Sequence, residues 1–253
     1  MVRGKVYPKY AYPREVVLGV AWAILLRRRR DFRIDAWTCI AALKPPLSVL
    51  GGEYIPQHGP CLVVMNHYWR PGFQAWWSAM GISSLLAMPH AWILSSGWTA
   101  PGKWYEPVKE AASRMLFLRL AHIYGFLSMP PMPPRPKDVM KRAASVRAAL
   151  KYVERTPNAV LCLAPEGHDM PAGRLGWPPA GVGRFVSLLA QRGLPIAPVG
   201  VWEAEGALTV RFGPAFRMEP AGAGREKCDQ EAAWIVMRSI ACLLPESLRG
   251  EFA

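Results

Sequence analysis

The five cysteines, Cys39, Cys61, Cys162, Cys228 and Cys242, are odd in number, and no two stand in a C-x-x-C pair. No zinc framework is visible, and a reduced chain with buried thiols is the economical reading. Acidic residues are scarce, 18 against 31 Lys plus Arg, for a net charge of +13. Such a chain seeks phosphates, anionic lipid surfaces or acidic carrier proteins. Long apolar runs are missing as well. The uncharged run Val16 to Leu26 has 11 residues, where a bilayer span needs about 20. Four arginines, Arg27 to Arg30, follow this run, the reverse of the order in a secretory signal. From Pro71 to Gly102 there is no Lys, Arg, Asp or Glu, yet Gly81, Ser83-Ser84, Pro89 and His90 argue against one continuous span. No internal repeat and no domain linker appear.

What is present suits one large α/β domain, residues 51–253, preceded by an N-terminal segment, residues 1–50. The chain has 253 residues and is 51% hydrophobic. Basic charge together with 11 Trp fits a membrane surface at least as well as nucleic acid, although most single Trp positions read as core. Two readings of residues 16–30 stand side by side. One is an interfacial anchor with arginines on lipid phosphates; the other is a core helix with a solvated basic end. The expectation is a membrane-associating helical segment, no nucleic-acid partner, and a cytoplasmic protein peripheral on the inner face of the cell membrane.

Helices are expected over 73–86, 107–123, 137–155, 181–192 and 231–244, and strands over 61–65, 91–96, 160–164, 195–201 and 207–212. In the third of these helices Val139, Ala143, Val146, Leu150 and Val153 form one apolar face. The alternation predicts a mixed, largely parallel sheet flanked by helices.

Two short apolar runs end in ionisable residues. Cys61 to Met65 runs into Asn66-His67, and Val160 to Ala164 into Pro165-Glu166-Gly167-His168-Asp169. Strands that deliver such groups to their ends predict a cleft at one sheet edge.

These motifs resemble the glycerolipid acyltransferases, the lysophosphatidate and glycerol-3-phosphate acyltransferases, over roughly residues 56–216. Asn66-His67 is similar to the start of that family's N-H-x4-D motif, and Pro165-Glu166-Gly167 to its P-E-G-T-R-S block. Gly173-Arg174-Leu175-Gly176, Gly181 to Phe185, Gly193 to Val199 and Leu208 to Pro214 continue in the family's order. The departures are specific. Gly72 stands where the family has aspartate, and Asp169 where it has arginine. Arg135 is the nearest candidate for the arginine of the middle block. The family sets its arginines on the acceptor's phosphate, so these departures question a glycerol-phosphate acceptor.

The resemblance implies O-acyl transfer from acyl-CoA or acyl-carrier protein, as co-substrate, to a hydroxyl of a phospholipid or glycolipid, with no cofactor and no metal. Acyl transfer needs a base, a group that orients the base, and donors for the oxyanion. His67 is the candidate base. Glu166 is the favoured orienting carboxylate, with Asp169 as the alternative. Asn66, Arg70, Gly167, His168, Asp169, Arg174 and Arg184 are candidates for substrate binding, Gly167 through backbone N–H groups and the arginines through phosphate. A non-catalytic lipid-binding relative, and a thioesterase with water as acceptor, remain as alternatives.

Overall fold

A computed structural model describes residues 7–99, 102–132, 134–170, 173–219 and 224–253. Its centre is the strand β2, Cys61–Met65, whose five residues are all buried. CLVVM carries no charge and three branched side chains, so it suits a strand covered on both faces. β2 pairs in parallel with β5, Val160–Leu163, on one side and with β6, Ile196–Ala204, on the other. Cys61 stands opposite Val160 and Val64 opposite Leu163. The two strands that end in ionisable residues are therefore direct neighbours, in register, and run the same way.

Among the described residues seven strands lie in the order β1-β7-β6-β2-β5-β3-β4. β1 is Ser48–Leu50, β3 Ala91–Ser95, β4 Leu127–Met129 and β7 Ala207–Phe212. Among the strands of the described residues, only β6 and β7, joined by the tight turn Glu205-Gly206, pair antiparallel. The expected mixed, largely parallel sheet is what the chain forms. β1, at the end of the N-terminal segment, is an edge strand parallel to β7, which ties residues 48–50 into the sheet.

Helices cover the sheet: α1 Arg14–Leu26, α2 Phe32–Ala41, α3 Trp76–Ser83, α4 Glu106–Tyr124, α5 Val139–Arg155, α6 Val182–Ala190 and α7 Arg225–Ala241. Asp31 caps α2 by accepting the backbone N–H of Arg33 at 2.9 Å. Gly125, in the left-handed region, stops α4. β1 and β4 were not expected. Each has three residues and is at most half-buried, too short to leave a period in the sequence.

The four arginines after α1 divide into two roles. Arg27, Arg28 and Arg29 are exposed. Arg30 turns inward, its Nε 2.8 Å from Asp35 Oδ2, and the Tyr124 hydroxyl donates to the same oxygen at 2.8 Å. Arg30 is thus a structural cation. On α1 only Val16 and Ala23 are buried, while Leu18, Trp22 and Leu25 are each more than half exposed. Ile34 and Trp37 extend this apolar surface onto α2. The Trp76-Trp77 pair does not extend it. Trp77 is in the core, and Tyr12 stacks on it with ring centroids 4.9 Å apart. No helix among the described residues is long and apolar enough to cross a membrane.

Candidate active site

The C-terminal ends of β2 and β5 lie side by side, so the residues just past them share one edge. Asn66 is 1% exposed. Its side chain replaces a rung of the β2–β6 ladder: Nδ2 donates to the Val201 carbonyl at 2.8 Å and Oδ1 accepts the Val201 N–H at 2.7 Å. Both ends of the amide are occupied by backbone. Its role is to lock the strand end that carries His67, not to touch substrate.

Glu166 is likewise 1% exposed. Its Oε2 accepts the backbone N–H of His67 at 2.5 Å and its Oε1 accepts the N–H of Gly176 at 2.8 Å. The carboxylate therefore staples the β5 loop to the β2 end and to Gly176, and it meets the main chain of His67 rather than the imidazole. Burial pushes its carboxyl up to about 7, against the opposing pull of the two N–H bonds.

The oxygen at the imidazole belongs to Asp169. Its Oδ1 lies 3.2 Å from His67 Nδ1. The two atoms are at ion-pair distance without hydrogen-bond alignment, and Nδ1 is buried with no other partner among the described residues. The His67 ring is mostly buried, while the Asp169 side chain is 55% exposed. Gly72, where an aspartate was absent, sits in a turn at φ +81°.

The remaining candidates divide in the same way. Arg70 pairs with Glu203 through Nε at 2.5 Å and Nη2 at 2.8 Å, and its guanidinium lies 3.7 Å from the ring centre of Tyr7. Glu203 also accepts the hydroxyls of Tyr10 at 2.8 Å and Tyr68 at 3.2 Å. Burial and this carboxylate hold both phenols well above their ordinary range. Arg70 thus pins the loop after His67 and is not free for phosphate. Arg135 is likewise taken, by Glu110 at 2.8 and 2.9 Å and by Asp138 at 2.6 Å. The Gly167 N–H, expected to face an anion, donates to the Ala164 carbonyl at 3.1 Å. His168 is exposed and turns Nδ1 to the Glu166 carbonyl, 2.8 Å away. Arg174 and Arg184 are exposed; the backbone N–H of Arg184 donates to Asp229 at 2.7 Å.

His67 opens on a cleft of about 740 Å³ including its mouth, lined by Met65, Ala79, Trp92, Leu94, Trp98 and Phe117 among others. The walls are largely apolar. Trp92 anchors its indole N–H on Ser83 Oγ at 2.9 Å, and Trp98 meets Phe117 edge-on at 4.8 Å. Trp76 lines this cleft and also the apolar groove under α1, between α2 and α4. The aromatic wall was visible in the sequence only as an uncharged stretch. Which of its residues face His67 depends on how α3 and β3 pack.

No protein-family model matches the chain, and no curated protein matches it. Among solved structures it is similar to the crystal structure of the 1-acyl-sn-glycerophosphate (LPA) acyltransferase PlsC from Thermotoga maritima, with a TM-score of 0.52 at 15% sequence identity. The match covers 94% of this chain and 92% of that one. At this identity the likeness is one of fold: the chain shares the α/β architecture of that structure.

Proposed function

We propose that this protein transfers a fatty acyl group from an acyl thioester, acyl-CoA or acyl-carrier protein, to a hydroxyl of a lipid or glycolipid, with His67 as general base. The observation that carries this reading is a histidine at the end of a buried strand, one ring nitrogen facing a carboxylate, its ring on an apolar cleft. With Nδ1 turned to Asp169, Nε2 is the nitrogen left to take the acceptor proton. The apolar cleft suits the acyl chain. Transfer forms the ester bond between acceptor oxygen and acyl carbon, breaks the thioester C–S bond, and returns the proton from His67 to the leaving thiolate. The fold shared with PlsC supports the same class of chemistry.

Support for work at a lipid surface comes from the exposed Leu18, Trp22, Leu25, Ile34 and Trp37 beside Arg27, Arg28 and Arg29. We place the protein peripherally on the inner face of the cell membrane, where anionic lipid meets this surface. The groove that shares Trp76 with the cleft offers the lipid a way in.

The test is an acyl-donor panel with mass spectrometry of extracted lipids. Wild type should form a new ester, and His67→Ala should form it roughly 10²–10⁴-fold more slowly. A folded His67→Ala protein with wild-type transfer refutes the reading.

A further inference from the structure

We propose that Asp169 is the positioning residue for His67, and that the acceptor it serves is a hydroxyl with no phosphate monoester beside it. This rests on the acyl-transfer reading above and names the substrate class within it.

Three observations carry it. The first is an orphan: His67 Nδ1 is buried, has no hydrogen-bond partner among the described residues, and has Asp169 Oδ1 at 3.2 Å. A buried ring N–H needs an acceptor. Asp169 is half-exposed, so a side-chain rotation turns the present approach into a bond, and catalytic bonds often tighten only when substrate is bound. The second is the elimination of the other carboxylate. Both oxygens of Glu166 are occupied by the backbone N–H groups of His67 and Gly176. The third is the fate of the cations. A phosphate beside the reacting hydroxyl needs a free guanidinium near the base. Of the candidate arginines, Arg70 is held by Glu203 and Arg135 by Glu110 and Asp138, while Arg174 and Arg184 are exposed side chains. The charged group that does face the imidazole is an anion, and it repels a phosphate dianion.

Asp169 orients the ring so that Nδ1 carries the proton and Nε2 is the base, and it stabilises the imidazolium formed as the acceptor proton arrives. The other ionisable groups here are Glu166, at the backbone N–H of His67, and His168, bonded to the Glu166 carbonyl.

The experiment uses the full chain with palmitoyl-CoA or the palmitoyl thioester of acyl-carrier protein. The acceptors are 1-oleoylglycerol and 1-oleoylglycerol 3-phosphate in parallel. Wild type should use the uncharged acceptor with at least tenfold higher kcat/KM. Asp169→Asn should lower kcat roughly 10²-fold with KM for the thioester nearly unchanged, and Asp169→Glu should regain part of the loss. A purely structural role would not show that rescue by a second carboxylate. Side-chain ¹⁵N spectra of histidine-labelled protein, with His67 assigned from His67→Ala, provide a readout that needs no turnover. Wild type should show the Nδ1–H form, and Asp169→Asn a shift toward mixed tautomers. Unchanged His67 signals overturn the role of Asp169. Equal or better use of the phosphate acceptor overturns the acceptor class. Transfer to neither acceptor counts against the acyl-transfer reading itself, and the spectra then still decide Asp169.

Discussion

Glu166 is buried, with both carboxylate oxygens held by backbone N–H groups. Its carboxyl is raised from 4.5 to about 7 by burial. The folded protein therefore holds a proton there that the unfolded chain releases near pH 4.5. That contribution to stability is complete below pH 4.5 and is lost as pH rises through about 7. The loss is on the order of 2–3 kcal/mol. Urea denaturation at pH 5 and pH 8 should show wild type less stable at pH 8, with the difference largely removed in Glu166→Gln, which has no proton to release. Asn66 admits a simpler test. Asn66→Ala strips partners from both backbone groups of Val201. Two buried groups left unsatisfied should cost roughly 2–5 kcal/mol in the same measurement. Gly72→Asp would restore a carboxylate five residues after His67, but φ there is +81°, where a side chain strains the backbone. It should lower stability by about 1 kcal/mol and bring no gain in activity, because Asp169 already faces the ring.

At the scale of the element, α1 is apolar nearly all round and lies on the surface rather than in the core. Leu18→Asp, Trp22→Asp and Leu25→Asp together should leave the urea midpoint almost unmoved, since each side chain is more than half exposed. Sedimentation with anionic vesicles should fall steeply in the triple variant. The binding of wild type should weaken with salt, and Arg27→Gln, Arg28→Gln or Arg29→Gln should each remove about 1 kcal/mol of it. Arg30→Gln should behave differently. It leaves the nearly buried Asp35 carboxylate without its cation, so it should cost about 1–3 kcal/mol of stability with little effect on vesicle binding.

Over the whole molecule, the N-terminal segment is not a detachable anchor. Tyr10 bonds Glu203 and packs on Phe73 and Trp77, Tyr12 bonds Gln74 and stacks on Trp77, and Val16 and Phe32 belong to the core. These contacts bind the start of the chain to the loop that follows His67. Removing residues 1–13 should therefore lower stability by at least about 2 kcal/mol and reduce acyl transfer even with a soluble acceptor. Wild-type turnover and melting after that truncation would show that the strap has no such role.

Much of this was determined by the sequence alone. Short charge-free runs that end in Asn66-His67 and Pro165-Glu166 read as buried strands delivering polar groups to an edge, and their alternation with helical periods predicts a largely parallel sheet. Local pattern also placed His67 and named the two carboxylates that compete for it. Only the tertiary structure decided between them. Glu166 and Asp169 are three residues apart on one loop, and nothing local says which faces the imidazole. The register of β2 on β5 puts the His67 backbone N–H within reach of the buried Glu166, and an unpaired N–H there would be costly, so Glu166 is consumed. The next carboxylate along is left facing the ring. The same holds for the arginines. A cation's availability depends on which acid the fold brings to it, and Glu203, 133 residues from Arg70, is not visible from position 70.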